Sequence, residues 1–266
     1  MKTRLYYTFV VGTAIALSNM RVPAHLQNQP VAVAVTDSNA PTPAQRALAL
    51  LKPTADKLSA AGAFTFKTHS MVEVPSPTGH MRHYFLASEV AVERPNRLAA
   101  KLTGGGPALD LYYDGRTFSG VNKKLGLYAQ MDAPPTLDEL VPLIAEKTGI
   151  YFSHAEMLYS DVYASLTKDL TYASWVDKST EDGVTCDHLA FAGPGVERQI
   201  WVGTDNTLLT RRLMTTRLPV EGQPRFMVTF SDWDLNPSLS AGHFEFRKPG
   251  GAKQIEFRAL MTTSYT

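Results

Sequence analysis

Apolar and polar residues alternate with a period of two along most of this 266-residue chain, and short turns punctuate the pattern. From Ala63, Phe64, Phe66, Val72 and Val74 alternate with Thr65, Lys67, His69 and Glu73, which predicts a long half-buried strand. Further strands are predicted at His80–Glu93, Arg97–Thr103, Ala108–Asp114, Thr117–Val121 and Leu125–Gln130. A second set follows at Thr171–Ser179, Val184–Ala192, Val196–Gly203, Thr207–Arg217 and Arg225–Leu235. Links such as Pro95-Asn96, Asp114-Gly115 and Asp182-Gly183 are too short for crossovers, so neighbouring strands pair antiparallel. A sheet of about eleven strands accumulates twist and curls. The expected fold is therefore mainly β (α+β): a curled, unclosed antiparallel β-barrel of about eleven strands with a concave face to cover.

Two helical regions are available as lid or plug. Thr42-Pro43-Ala44-Gln45 combines a cap, a proline at the first helical position and a capping box. Ala47, Leu48, Leu51, Ala55 and Leu58 then form one apolar face, Pro53 is expected to kink or split the helix, and Gly62 to end it. Between the strand sets, Thr136-x-x-Glu139 caps a second helix carrying Leu137, Leu140, Val141 and Ile144, of a length that Pro142 leaves open. Ser153-x-x-Glu156 and Ser160-Asp161 start two short helical turns that end near Lys168.

Lys2 and Arg4 precede thirteen uncharged residues, Leu5–Leu17, a run shorter than the about 20 that span a bilayer. This predicts a cleaved export signal at 1–34, a flexible leader at 35–42, one β domain at 43–258 and a tail at 259–266. Cleavage after Ala34 removes Lys2, Arg4 and Arg21, turning the formal +1 into 23 basic against 25 acidic residues, a net −2. That balance gives no basic footprint for nucleic acid. A single cysteine excludes an internal disulfide framework and multi-cysteine metal sites.

Motifs for phosphate, dinucleotide, zinc or acyl-transfer chemistry are missing, so no cofactor and no metal is expected. Gly104-Gly105-Gly106 precedes Pro107 and a strand, and reads as a wide turn. Cys186 and His188 share a strand face while Asp187 points the other way, so Asp187 and His188 cannot form a dyad, and packing is the simpler role for the cysteine. Asp110, Tyr112 and Asp114 share another face, where solvation and a hairpin explain the acids. Arg198 and Arg211 lie in otherwise apolar rows and are candidates for an acidic headgroup, the alternative being local acid partners. Phe64, Phe66, Leu111, Tyr113, Trp201, Met214, Phe226 and Trp233 are the candidate ligand-cavity residues, although alternation alone does not say which faces point inward.

Six stretches carry a family resemblance: Arg94–Leu98 (RPNRL), Tyr112–Phe118 (YYDGRTF), Tyr128–Leu140 (YAQMDAPPTLDEL), Asp182–Phe191 (DGVTCDHLAF), Glu197–Val202 (ERQIWV) and Phe230–Leu235 (FSDWDL). In this order, over residues 45 to 258, they resemble a bacterial family of predicted periplasmic proteins, domain of unknown function 2092. The resemblance implies kinship in fold with the lipoprotein carriers LolA and LolB, unclosed antiparallel barrels whose helices plug a hydrophobic cavity. Leu209-Thr210 and Arg247-Lys248 stand where that family leads one to expect prolines, so the late strand ends are expected to be looser. Together these readings give a non-catalytic periplasmic carrier of an acyl chain, lipid or lipidated protein, with at most transient membrane contact. The alternatives are an envelope interaction scaffold with a filled core, and a hydrolase using His188 or Asp110.

Overall fold

The computed structural model describes residues 40–105, 108–148, 152, 154–205, 207 and 209–257. The chain divides into two units, Met1–Ala40 and Pro41–Thr266, and the fold is that of the second. The expected signal, most of the leader and the tail lie outside the described residues. Among those residues, no helix is long and apolar enough to cross a membrane.

All eleven predicted strands form: β1 (Ala63–Pro75), β2 (Met81–Glu93), β3 (Arg97–Gly104), β4 (Leu109–Tyr113), β5 (Thr117–Asn122), β6 (Leu127–Asp132), β7 (Tyr172–Glu181), β8 (Val184–Gly193), β9 (Val196–Gly203), β10 (Thr210–Arg217) and β11 (Arg225–Asp234). A twelfth, β12 (Lys253–Gln254), adds in parallel to β6 and is too short for periodicity to reveal. The sheet order is β12-β6-β5-β4-β3-β2-β1-β11-β10-β9-β8-β7, unclosed and antiparallel apart from that edge. Hairpin succession explains each half, and the pairing of β1 with β11 joins the halves into one curled sheet.

Helix α1 (Pro43–Ala60) has the expected capping box and buries Ala47, Leu51, Ala55 and Leu58. It packs on β7, β8, β9 and the short helix α3 (Val162–Thr167). The helix runs unbroken through Pro53, so of the expected kink or split the split does not occur. Pro53 and Ala49 are both exposed, so the Ala49 carbonyl left without a helical donor meets water. Pro142 is likewise exposed within the continuous helix α2 (Leu137–Thr148). A 3-10 turn, Ala155–Leu158, and α3, capped by Asp161, complete the insert; the expected cap at Ser153 lies outside the described residues.

The main core lies on the inner face. Phe64, Phe66, Leu98, Leu111, Tyr113, Phe118, Leu189, Phe191, Ile200, Leu213, Val228 and Phe230 meet the buried side chains of α1, α2 and the insert there. After β11 the chain crosses the outer face. Phe244 packs with Ala91 and Ala99, Phe246 rests against Tyr112 and Tyr128, and Ala252 joins Val121. Past β12, Phe257 reaches the main core and stacks on Phe118 at 5.2 Å. The late apolar pieces therefore form a strap from the outer face round the β6 edge. The departure at Leu209-Thr210 adjoins a register shift between Thr210 and Arg212.

A buried carboxylate fastens the far end of β1 to β11. Glu73 is 3% exposed. It accepts hydrogen bonds from the Arg225 backbone N–H (2.9 Å), Nε (3.1 Å) and Nη2 (2.7 Å), and lies 3.3 Å from His83 Nε2. The Arg225 guanidinium holds this carboxyl below the usual carboxylate range, against the opposing pull of burial. A carboxyl whose folded pKa lies below its unfolded one stabilises the fold above the unfolded value and loses that contribution as pH falls through the folded value. In urea unfolding, wild type should exceed Glu73→Gln at pH 7, and the gap should narrow as pH drops below the ordinary value of 4.5. A gap that stays constant to pH 3 would contradict a charge-based fastening (pH chosen about 1.5 units below the ordinary value).

Candidate functional site

The insert sits over an aromatic floor built by β1 and β11. Phe64 and Phe66, two apart on β1, point inward together. Phe230 does so from β11, and a register shift opposite Thr65/Lys67, with Asp232 at φ 52°, brings Trp233 onto the same face three residues later. The Phe66 ring lies 4.6 Å from Trp233, 5.7 Å from Phe230 and 6.1 Å from Phe64. The Trp233 indole N–H donates to the Thr210 carbonyl at 3.0 Å.

Polar ties hold the insert down on this floor. The Arg94 guanidinium donates to the carbonyls of Leu158 (2.7 Å) and Met157 (3.3 Å), and lies 5.2 Å over the Phe64 ring. The Leu137 N–H donates to the Pro95 carbonyl at 2.9 Å, and the Tyr113 hydroxyl donates to the Pro134 carbonyl. Burial, followed by the nearby Glu139 and Asp114 charges, pushes the Tyr113 hydroxyl up to about 12. It therefore stays a donor. Three of the family-like stretches, RPNRL, YYDGRTF and YAQMDAPPTLDEL, meet in these contacts.

Beside His154 of the insert, a cavity of about 50 Å³ opens. Thr68, Ser88, Leu86 and Leu102 line it from the sheet, and Phe152 and His154 from the insert. Thr68 and Ser88 share a 2.6 Å hydroxyl–hydroxyl hydrogen bond. His154 is 4% exposed and stands edge-on to Phe66 at 5.2 Å. Burial pushes its imidazole down to about 4, so the ring is neutral at pH 7. Among the described residues, neither of its ring nitrogens has a hydrogen-bond partner.

Phe64, Phe66, Leu111 and Tyr113 are fully buried on the inner face, and Trp233 is half-buried against the same core. Phe226, also half-buried, alternates in phase with Val228 and Phe230. Trp201 and Met214 are a correction. Ile200 and Leu213 take the inner face, so their neighbours point outward, and Trp201 stacks on His188 at 4.3 Å. None of the eight cavity candidates lines the 50 Å³ cavity. Its lining escaped notice because small hydroxyl residues carry little signal; Thr68, Ser70 and Ser88 interrupting a bulky inward row were the available clue.

Both headgroup candidates have acid partners. Arg198 crosses from β9 to Glu156 of the insert at 3.1 Å. Arg211 is the extra residue at the Thr210/Arg212 register shift, so simple alternation with Leu213 fails for it, and it pairs with Asp205 at 2.7 Å. His188 lies between Asp177 (3.2 Å) and Gln199 (3.0 Å), and Asp187, on the other face, accepts from Trp175 Nε1 at 2.9 Å. The Cys186 thiol is buried, which raises its pKa. Asp110 pairs with Lys123. Among the described residues, no three His, Cys, Asp or Glu side chains are grouped to hold a metal ion. A cleft of about 800 Å³ lies between the strap and the outer face. Its lining mixes charged side chains with apolar Val90, Ala91, Ala99 and Val121, and its lysines are paired, Lys67 with Asp232 at 2.9 Å, Lys101 with Glu89 at 3.7 Å and Lys123 with Asp110.

A family model described as "Predicted periplasmic protein (DUF2092)" matches residues 47–258. No curated protein matches the chain. Among solved structures, lipoprotein LppX of Mycobacterium tuberculosis is similar at 13% identity and a TM-score of 0.44, over 73% of this chain and 98% of that one. A LolA superfamily protein of Nitrosomonas europaea is similar at 11% identity and a TM-score of 0.36, over 78% and 99%. The Pseudomonas aeruginosa MucA/MucB complex gives 13% identity and a TM-score of 0.39, over 76% of this chain and 61% of that one.

Proposed function

We propose, since the chain belongs to the DUF2092 family of predicted periplasmic proteins, that it binds and carries a hydrophobic group: an acyl chain, a lipid or a lipidated protein. One observation carries this reading: the apolar inner face is covered by a helical insert fastened to it by a handful of polar ties. Ligand sites are typically apolar with a few placed polar groups, and the floor around Phe66 with the neighbouring hydroxyls and imidazole has that composition. The cavity beside His154 measures about 50 Å³, too small for an acyl chain, so loading there requires the insert to lift from the floor, exposing Phe66, Phe230 and Trp233. Native mass spectrometry of gently purified protein should find bound lipid, and the apolar fluorophore N-phenyl-1-naphthylamine should bind and brighten. Absence of both would overturn the reading.

The tight filling of the same core favours a second reading, an envelope scaffold that presents its curved surface to another protein. In that case neither lipid nor fluorophore binds, and a pull-down from envelope extract returns a protein partner.

A further inference from the structure

We propose that the cavity beside His154 receives the uncharged polar end of an acyl ligand, an ester or glyceryl hydroxyl, with the imidazole as its hydrogen-bond partner. This rests on the carrier reading and narrows its ligand class.

Four observations support it. First, His154 is 4% exposed and, among the described residues, both ring nitrogens are unpaired. Buried polar side chains nearly always have partners, and an orphan costs about 1–3 kcal/mol. A donor and an acceptor at a cavity wall without a protein partner are fitted to a molecule that supplies both. Second, the space is of the right order. A water's share of liquid volume is about 30 Å³, so the 50 Å³ here takes a group of a few heavy atoms and not a chain. Third, the remaining lining is mixed. The Thr68–Ser88 hydroxyl pair offers further hydrogen bonding, while Leu86, Leu102 and Phe152 give an apolar path for the attached chain. Fourth, among the described residues none that lines the cavity is a lysine or arginine, and burial keeps the imidazole neutral at pH 7. An ionised carboxylate entering this cavity would lose its hydration without meeting a cation, whereas an ester or hydroxyl would not.

The test compares two ligands with one chain and different ends: 1-monooleoylglycerol and oleate. Each displaces N-phenyl-1-naphthylamine from the full chain at pH 7 (a pH about 3 units above the imidazole's depressed value). Wild type should bind the glyceride about tenfold more tightly, the size of one hydrogen bond. His154→Phe, which keeps an aromatic ring and removes both nitrogens, should weaken glyceride binding about tenfold and leave oleate binding within about twofold of wild type, so that the preference shrinks. His154→Gln, which restores a donor and an acceptor, should recover the preference. An unchanged preference in His154→Phe, or a wild-type preference for oleate, overturns the inference and leaves the carrier reading standing. If the fluorophore and both lipids fail to bind wild type, the carrier reading falls and this inference falls with it.

Discussion

Phe66→Ala is expected to lower stability by about 4 kcal/mol, the range for emptying a fully buried phenylalanine site. Phe66 is 1% exposed, and its ring contacts the rings of Phe64, Phe230, Trp233 and His154. These neighbours come from β1, β11 and the insert, so no single movement can close the void. Collapse is therefore poor, which places the cost in the upper part of that range. Urea unfolding should show a much lower midpoint with an unchanged slope. Phe66→Leu, which keeps most of the volume, should lose far less, about 1–1.5 kcal/mol. A loss below about 1 kcal/mol for the alanine variant would mean that the floor is not packed as described.

Arg94→Met is expected to cost about 3–4.5 kcal/mol, and to act first on the insert. Methionine replaces much of the apolar stem and none of the donors. The Leu158 and Met157 carbonyls then lose their charged partner, while the ring of Phe64 loses the guanidinium 5.2 Å above it. Hydrogen bonds to charged groups contribute about 1.5–3 kcal/mol each, and the longer bond to Met157 belongs at the low end. Hydrogen exchange should locate the effect. Amides of residues 154–167 should exchange through an opening of lower free energy than those of β1 and β11, and Arg94→Met should lower that opening further. Identical opening free energies in the two sets would show that the insert does not open independently of the sheet.

The strands were legible because half-burial imposes a period of two, and because turns such as Asp182-Gly183 need left-handed backbone; these residues sit at φ 48° and 81°. What alternation cannot show is where it slips. Register shifts at Trp175/Asp177, Thr210/Arg212 and opposite Trp233 each change the phase of a strand. Faces projected across such points are therefore unreliable. Arg211 seemed to belong to an apolar row for that reason. Trp201 and Met214 show a different limit: two equally plausible rows exist on one strand, and only packing against the helices selects Ile200 and Leu213 as the inner ones. Pro53 does not split its helix, and Pro142, which left the length of the second helix open, lies inside a continuous one; both prolines are exposed. His154 was silent in the sequence. Nothing near it marks a site, and its interest arises only from burial without a partner. The family-like stretches were recognisable as strings, while the role that three of them share, fastening the insert to the β2–β3 and β4–β5 turns, required the fold.

Photo-cross-linking with an acyl chain bearing a diazirine near its polar end tests the central claim most directly, because it reports both occupancy and place. On irradiation of the full chain, the label should be found at Leu86, Leu102 or Phe152 around the inner cavity, and excess 1-monooleoylglycerol should suppress it. Labelling confined to the outer cleft near Lys67 and Lys101, or no competable labelling at all, would contradict a hydrophobic ligand held beneath the insert.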